Sequence, residues 1–432
     1  MPRFPVVASL ALLSLLRAMP GAAAPAPKTL PADLRDFYVD LHQHPELSLH
    51  EEKTAAKVAD RLRQAGFEVT AGVGGTGVVG VLKNGSGPTV MLRTELDALP
   101  VEEKTGLPYA STVRVKDDAG AEVPVMHACG HDVHMTALVG TAAEMARRKA
   151  EWHGTLVFIG QPAEERIRGA RAMLKDGLFT RFPKPDFVVA LHDTPNLPAG
   201  QLGVTSGFAL ASSDSVDLTI YGKGGHGASP QTTVDPIVIA ARTVVALQTI
   251  VAREKDPQDP AVVTVGSIHG GNKHNIIPDE VKLQITVRAY KKEVRDHVLA
   301  AIQRIARAEA EAAGAPKEPA FAVVESCPAT YNDPKLTARI AAALRRTLGD
   351  SNVVDTPPQM ASEDFSEYGL AGVPAVQWSL GAGDPAKLKE LAAAGQQPPS
   401  LHSSLFASDR DPTIATGVEA EVAVLMDLLG KR

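Results

Sequence analysis

Short apolar runs alternate with helical stretches over the first half of the chain. Four such runs lie at 78–82, 89–92, 155–159 and 187–191. Runs of this length without polar alternation are typical of strands buried on both faces. Helices are predicted at 34–44 and 48–64, before the first run, and at 135–145, between the second and third runs. The pattern predicts an α/β fold with a mostly parallel sheet that helices cover on both faces.

The pattern changes near residue 212. Residues 215–221 alternate with period two, which indicates a half-exposed strand. The elements that follow are a helix at 235–253, strands at 261–266 and 281–290, a helix at 295–313 and a strand around 320–324. The order βαββαβ is that of a ferredoxin-like α+β module.

This module interrupts the first pattern, which resumes after Asp333. We therefore predict a discontinuous catalytic domain, residues 28–211 and 329–432, and an inserted domain, residues 212–328.

The first 24 residues differ in kind from the rest. Arg3 precedes an apolar run at 6–16, and a segment of small residues follows at 20–24. The run is too short for a membrane anchor. We predict a cleaved signal peptide, residues 1–24, and an exported protein, periplasmic or secreted, with no stable membrane insertion.

Composition narrows the class of protein. The chain has 432 residues, 44% of them hydrophobic, which is enough for two cores. It carries 50 acidic and 44 basic side chains, a net charge of −6. This balance argues against a nucleic acid as the partner.

Candidate chemistry is concentrated in residues 127–134, which hold three histidines, one cysteine and one aspartate. Glu164 and Glu165 follow a predicted strand, His192 follows another, and His402 lies near the C-terminus. Taken singly, an acidic pair is usually helix surface and a lone histidine is usually structural. Together they are ligand types for a transition metal, and their long spacing on strand ends is typical of a catalytic site.

The chain has two cysteines, Cys129 and Cys327. Export would permit a disulfide between them. The glycine and histidines around Cys129 favour a thiolate ligand or a reactive thiol instead.

Taken in order, the motifs resemble the clan of co-catalytic metallopeptidases and aminoacylases. The branch is that of hippurate hydrolases, N-acyl-amino-acid amidohydrolases and auxin-conjugate hydrolases. The matching segments are 92–100, 127–134, 161–165, 190–192, 222–226, 275–278, 362–365 and 401–403. They span nearly the whole mature chain.

The resemblance implies a site for two divalent metal ions, which could be zinc, manganese, cobalt or nickel. The implied ligands are Cys129, His131, Glu165, His192 and His402. Glu164 would be the general base that takes a proton from a metal-activated water. Asp97 matches a position that orients a neighbour of the metals, and Asp132 or His134 would support the ligands.

Three implied residues lie in the inserted domain, which in the family is a lid and a dimerisation domain. His226 resembles a histidine that reaches the active site of the partner subunit and stabilises the oxyanion. Asn275 and Arg288 resemble positions that bind the substrate's carboxylate or carbonyl. The alternative for Arg288 is a charge on the surface of a strand. A homodimer is expected.

Two places depart from the family pattern. Arg166 and Arg168 stand where a glycine-rich turn is usual, and Asp193 replaces an apolar residue after His192. We expect the arginines to make the pocket mouth more cationic or narrower.

The leading hypothesis is an exported metal-dependent amidohydrolase that acts on N-acyl-amino acids or similar small amides. A dipeptidase or carboxypeptidase of the same clan is an alternative. A non-catalytic metal- or peptide-binding protein on the same fold is another, although a free base beside a ligand argues against it.

Overall fold

The structure, a computed structural model, describes residues 29–430. The predicted signal peptide, residues 1–24, lies outside this range. The strands are β1 Glu68–Val73, β2 Gly77–Asn84, β3 Thr89–Glu95, β4 Arg114–Lys116, β5 Glu122–Pro124, β6 Gly154–Gln161, β7 Phe187–Pro198, β8 Leu202–Val204, β9 Gly207–Leu210, β10 Ser212–Tyr221, β11 Gly225–His226, β12 Ala261–His269, β13 Ile276–Ile277, β14 Glu280–Ala289, β15 Ala320–Cys327, β16 Thr330–Asn332, β17 Val353–Asp355 and β18 Ala375–Gly383. The α-helices are α1 Ala32–Gln43, α2 Glu52–Gln64, α3 His131–Arg147, α4 Gly169–Lys175, α5 Leu178–Arg181, α6 Pro236–Arg253, α7 Lys292–Ala312, α8 Pro334–Leu348, α9 Ser366–Leu370, α10 Pro385–Ala393 and α11 Arg410–Leu429.

The large sheet has the strand order β1-β2-β6-β3-β7-β18-β8-β17. Its centre, β6-β3-β7-β18, is parallel. β2 runs antiparallel to β1 and β6, and β8 runs antiparallel to β18. The predicted mostly parallel sheet is confirmed, and the reversed strands lie towards its edges.

Helices cover both faces of this sheet, as predicted. One face packs against α1, α2, α3, α8 and α11, through side chains such as Leu41, Leu62, Leu138 and Leu425. The other packs against α4, α5 and α9, with Met173 and Tyr368 among the buried side chains. The near-continuous apolar strands follow from this double burial.

The inserted domain has a four-stranded antiparallel sheet of order β12-β14-β10-β15. Helices α6 and α7 cover one face and bury Val216, Leu218 and Ile220 of β10. The alternate residue Asp217 is exposed on the open face. This is the predicted ferredoxin-like module, and the period-two pattern of β10 reflects its one covered face.

The two connections between the domains pair with each other. β9 and β16 form an antiparallel ladder in which Phe208 lies opposite Tyr331. The Asn332 side-chain amide donates to the main-chain oxygens of Thr205 and Gln377, both at 2.8 Å. The inserted domain is therefore joined to the large sheet through a two-stranded hinge.

Within the described range, α6 is long and apolar enough by composition to cross a membrane. Its inner face packs on the inserted sheet through Ile239, Leu247 and Ile250. A core helix of a soluble protein passes the same compositional test.

Candidate metal centre

The Cys129 thiol lies at the centre of a group of ligand atoms. Its Sγ is 3.3 Å from Nε2 of His402 and 3.5 Å from Nε2 of His192. His402 Nε2 is also 3.4 Å from Oε1 of Glu165. Ligands about 2.0 to 2.3 Å from one tetrahedral ion have separations of this size.

His131 presents one free nitrogen to the same place. Its Nδ1 is 2.7 Å from the main-chain oxygen of Asp97. A carbonyl oxygen can only accept a hydrogen bond, so Nδ1 is the donor. In the neutral imidazole, Nδ1 therefore carries the proton and Nε2 keeps the lone pair that a metal would take. Nε2 is 3.8 Å from Glu164 Oε2 and 4.0 Å from Glu165 Oε1. This pattern is usual for a histidine that binds metal.

His192 is oriented in the same way. Its Nδ1 is 2.9 Å from the main-chain oxygen of Asp193, which leaves Nε2 facing Cys129. Burial, together with the neighbouring His134, lowers the pKa of His192. A neutral imidazole is the form that binds a cation.

Among the described residues four sets of side chains could hold a metal ion, and two of these sets share Glu165. Cys129, Glu165 and His402 make one, and His131, Glu164 and Glu165 make the other. Glu165 belongs to both of these sets, so it would help to hold an ion in either. Within residues 29–430, the Nε2 of His131 and Oε1 of Glu165 are buried and find no hydrogen-bond partner. Buried polar atoms are rarely left unpaired, so the residues fit a pair of divalent ions.

The loop that carries the glutamate pair is held in an unusual backbone conformation. Ala163 has a φ of 48°. Its N–H donates to Oε1 of Glu51 at 2.8 Å, and the N–H of Glu165 donates to Oδ2 of Asp97 at 3.0 Å. Left-handed backbone at non-glycine residues is concentrated at functional sites, where the surroundings hold it in place.

His402 lies in the same backbone region, with a φ of 66°. Its N–H donates to the Ala128 oxygen at 2.8 Å. This bond joins the two chain segments that carry Cys129 and His402, so the backbone itself holds the two ligand candidates together.

A buried charge network lies beneath the site. The Arg93 guanidinium is fully buried and donates to Glu363 at 2.7 Å, to Asp364 at 3.2 Å and to Glu95. Glu164 lies within the same group of carboxylates as Glu363 and Asp364. One arginine thus faces several carboxylates, so the region has an excess of negative charge that divalent cations would offset.

The pKa shifts agree with this excess. Burial raises the pKa of Glu164 well above its usual range, and Glu363 and Glu165 raise it further. Burial alone would lower the pKa of His131, but its bond to Asp97 and the nearby carboxylates raise it to about 10. Burial and the carboxylates of Glu165 and Glu164 raise the pKa of Cys129. A bound cation would reverse these shifts, since it stabilises the anionic groups and competes with the protons.

The ligand atoms open into a pocket of about 350 Å³, which we call the metal pocket. Arg288 of β14 lines it together with Ala209 and Leu210 of the hinge. The guanidinium donates to the hydroxyls of Ser362 at 3.0 Å and Thr286 at 3.3 Å. Among the described residues no carboxylate forms an ion pair with it, so its charge faces the pocket unpaired.

His226 and Asn275 lie elsewhere in this chain. Both are exposed at the short β11 and β13 ladder, and neither lines the metal pocket. The Nδ1 of His226 accepts from the Ala228 N–H at 3.0 Å, which leaves Nε2 free. The two residues therefore contribute to a metal site only if another subunit or a domain movement brings one to them.

The residues that depart from the family pattern, Arg166 and Asp193, each bond to other side chains. Arg166 donates to Asp118 at 2.5 Å, at the tip of the β4–β5 hairpin. Neither Arg166 nor Arg168 lines the metal pocket. Asp193 is buried beside His134, whose Nε2 is 3.3 Å from Oδ1, and it accepts from Ser408 at 3.1 Å. Arg166 and Arg168 thus add no positive charge to the lining of this pocket, and their effect on its mouth stays a prediction.

The remaining predicted neighbours have distinct partners. Asp132 binds His42, with 2.6 Å between Oδ2 and Nδ1, and His134 Nδ1 is 2.9 Å from Oε2 of Glu95. Both cysteines are free thiols, and Cys327 contacts the main-chain oxygen of Glu363 at 3.3 Å. Cys129 is therefore available as a ligand.

Sequence reasoning assigned no role to Glu51 or Glu363. Glu51 bonds to the glutamate loop across 112 residues of sequence. Glu363 belongs to one of the matching motifs. Its carboxylate accepts from the buried Arg93 guanidinium, and this bond holds it beside Glu164. The motif was the available signal for Glu363, whereas nothing in the local pattern pointed to Glu51.

Known proteins similar to this chain include metal-dependent and amide-cleaving hydrolases. A sequence model described as Peptidase family M20/M25/M40 matches residues 91–393. The hippurate hydrolase of Campylobacter jejuni is 39% identical over 330 residues, covering 76% of this chain and 82% of that protein. Thermostable carboxypeptidase 1 of Saccharolobus solfataricus is 36% identical over 375 residues, covering 86% and 89%.

A solved structure has a similar fold. It is a Bacillus subtilis protein described as a dinuclear metal binding peptidase from the M20 family. The TM-score is 0.72 at 30% identity, and the match covers 91% of this chain and 97% of that one.

Proposed function

This chain belongs to Peptidase family M20/M25/M40 and is a metal-dependent hydrolase of amide bonds, and on that premise we propose that it acts on N-acyl-amino acids. The observation that carries the proposal is the unpaired charge of Arg288 in the metal pocket. A substrate that supplies a carboxylate to that charge fits better than a neutral amide.

The size of the pocket supports a small substrate. About 350 Å³ is near the lower end of the volumes that ligand pockets have. Small side chains such as Ala209 and Ala361 line it beside the ligand atoms. A short acyl group and one amino acid fit such a space, whereas a folded polypeptide does not.

In the proposed mechanism, two divalent ions would be held by Cys129, His131, Glu165, His192 and His402. When bound, these ions supply Lewis acidity and lower the pKa of water. Glu164 accepts a proton from the attacking water and passes it to the leaving nitrogen. Burial and Glu363 support this role because they raise the pKa of Glu164 and so stabilise its protonated form. Arg288 holds the substrate carboxylate, and the amide is thereby oriented towards the ligands.

We propose that the enzyme is a homodimer in which His226 serves the metal pocket of the partner, where it stabilises the oxyanion. The outer face of α6 supports a subunit contact, since Val238 and Val245 are 55% and 71% exposed one heptad apart. The exposed position of His226, away from the metal pocket of its own chain, supports the same arrangement. Asn275 lies beside His226 and would enter the partner's site with it.

We also propose that the protein is exported, periplasmic or secreted, after cleavage of residues 1–24. The charged, apolar and small-residue segments of the N-terminus support this. N-terminal sequencing of protein recovered from cell fractions tests it, and an intact N-terminus in the cytoplasmic fraction would contradict it.

A dipeptidase or carboxypeptidase activity is the second candidate. The similarity to a thermostable carboxypeptidase favours it. Arg288 would bind a peptide's C-terminal carboxylate in the same way. The two candidate substrates therefore differ only in the group on the carbonyl side of the amide, an acyl group in one and an amino acid in the other.

The test is a substrate screen on protein loaded with zinc, manganese or cobalt. N-acetyl- and N-benzoyl-amino acids are compared with dipeptides, and each N-acyl-amino acid is compared with its C-terminal carboxamide. We expect N-acyl-amino acids to have the highest kcat/KM, and their carboxamides to lose about 100-fold because a charged hydrogen-bond partner is missing. Equal rates for acid and carboxamide would contradict the role of Arg288. Faster cleavage of free dipeptides would favour the second candidate.

A further inference from the structure

The carboxylate of Glu51 is buried away from any cation. The residue is 0% exposed, and among residues 29–430 no lysine, arginine or histidine forms an ion pair with it. Glu51 is the N-cap residue of α2, yet its side chain makes no capping bond to that helix. A buried carboxylate without a cation is unfavourable. The hydrogen bonds that it accepts from elsewhere in the chain must therefore offset that cost.

One oxygen of Glu51 holds two left-handed residues from different segments of the chain. Its Oε1 accepts from the N–H of Leu49 and from the N–H of Ala163, both at 2.8 Å. The φ angles of these two residues are 72° and 48°. Its Oε2 accepts from the hydroxyl of Thr76 at 2.6 Å. Left-handed backbone is unfavourable for a residue with a side chain, so the shared acceptor stabilises a conformation that both residues would otherwise leave.

A second contact comes from the same segment. The hydroxyl of Ser48 donates to Oδ2 of Asp97 at 2.6 Å, and the same oxygen accepts from the N–H of Glu165 at 3.0 Å. Residues 48–51, which we call the loop clasp, thus act on the glutamate loop at two points. One is the Ala163 amide, directly, and the other is the Glu165 amide, through Asp97. Glu164 lies between the two held amides.

We propose that Glu51 is a positioning residue for the reaction, and that it holds the backbone of Ala163 so that the carboxylate of Glu164 faces the metal pocket. The proposal rests on the proposed function, in which Glu164 moves the proton. Glu164 follows Ala163 directly and lines the metal pocket, so a change of φ at Ala163 would turn its side chain away. The amide of Glu165 is held separately by Asp97, and loss of Glu51 should therefore act on proton transfer more than on metal binding.

The first test compares Glu51→Gln with Glu51→Met in the zinc-loaded full chain. Glutamine keeps an oxygen acceptor at the same place, whereas methionine keeps the length of the side chain without an acceptor. We expect kcat for an N-acyl-amino acid to fall about tenfold in Glu51→Met, because a buried N–H loses its partner. KM and zinc content should stay near wild type, and Glu51→Gln should keep most of the activity. Equal losses of kcat in the two variants would overturn the proposal.

Amide hydrogen exchange measures the same contact without a substrate. The amides of Leu49 and Ala163 should exchange about tenfold faster in Glu51→Met but not in Glu51→Gln, and the amide of Glu165 should be unchanged. Unchanged exchange at Ala163 in Glu51→Met would overturn the proposal, as would faster exchange with an unchanged kcat. A wild-type chain that cleaves no N-acyl-amino acid would contradict the proposed function instead, and the exchange rates would still decide whether Glu51 holds Ala163.

A glycine substitution separates backbone positioning from general destabilisation. Glycine adopts left-handed backbone without strain, so adding Ala163→Gly to Glu51→Met should raise kcat about fivefold. Ile167→Gly is the matched control, because Ile167 has a φ of 54° in the same loop but donates to the main-chain oxygen of Glu164. Equal recovery with both glycines would overturn the proposal. If Glu51→Met does not fold, Thr76→Val releases the carboxylate more mildly, and Ala163→Gly should again offset the loss.

Discussion

The carboxylate of Asp193 lies against the α-carbon of Gly130. A Cβ at Gly130 would be 2.2 Å from Oδ2 of Asp193, and the backbone there has a φ of +74°. Gly130 stands between the ligand candidates Cys129 and His131 and is the N-cap of α3. The buried carboxylate thus requires a residue without a side chain at the point where the ligand loop enters the helix.

Gly130→Ala should therefore destabilise the protein and reduce its metal content. The positive φ costs about 1 kcal/mol and the clash adds about 2 kcal/mol. Gly120→Ala is the matched control, because Gly120 has a φ of +81° but no atom within 4 Å of its Cβ. Thermal unfolding and metal analysis check the pair. Equal losses in both variants would contradict the role of Asp193.

Glu164→Gln should lower kcat by about three orders of magnitude, because it removes the proton acceptor while keeping the shape of the side chain. Metal content should stay near that of wild type. Glu165→Gln is the comparison, and here bound metal should fall, since Glu165 belongs to both ligand sets. The opposite result for metal content would show that the two glutamates have exchanged roles.

Mixed dimers test the placement of His226. His226→Ala and Glu164→Gln subunits each lack one half of a composite site, so mixing them should regenerate sites that have both residues. We expect activity well above that of either variant alone. Mixing His226→Ala with His226→Ala/Glu164→Gln is the control and should recover nothing. A fully active monomer in solution would exclude the shared site.

We expect the free energy of unfolding to fall as pH rises, because Glu421 is buried in its protonated form. It is buried between α11 and α3, where burial raises its pKa to about 8 although Thr141 donates to it at 2.7 Å. His134 and Glu95 are the other charged groups that act on it. The folded state holds this proton above the pH at which the unfolded state has lost it, so the stabilisation is present below pH 4.5 and is lost between pH 4.5 and about 8.

Glu421→Gln removes this proton linkage and keeps a partner for Thr141. We expect the variant to be more stable than wild type by a few kcal/mol above pH 8, at about 1.4 kcal/mol per pKa unit, and the gap to close below pH 4.5. Unfolding is measured on metal-free protein so that loss of metal in acid does not contribute. Glu390→Gln on the exposed α10 controls for the loss of one charge. A gap that does not change with pH would contradict the interpretation.

Local pattern was enough to predict much of the fold. The buried strands β3, β6 and β7 and the helices α3 and α6 were predicted because their apolar periodicity reflects burial on two faces or one. The β9–β16 hinge was not predicted, since its partners are 120 residues or more apart and neither strand has more than four residues. Short strands carry too few positions for a periodic signal.

The candidate site likewise has residues that the sequence predicted and residues that only the fold brings to it. Residues adjacent in sequence, such as Cys129 and His131, were grouped by spacing alone, and the structure brings them to Glu165 and His402. The bond from Glu51 to the glutamate loop could not be predicted, because the sequence does not show which acidic side chains are buried. The pairing of Arg166 with Asp118 could not be predicted either, since it is set by a distant hairpin.

Cys129 and His402 touch across 273 residues of sequence, and the whole inserted domain lies in the segment between them. An ion that binds both would close that segment into one loop. The entropy of the unfolded chain falls when so long a loop is closed, so the metal would act as a reversible crosslink between the two halves of a discontinuous domain. Chelation would then lower the free energy of unfolding as well as stop the reaction.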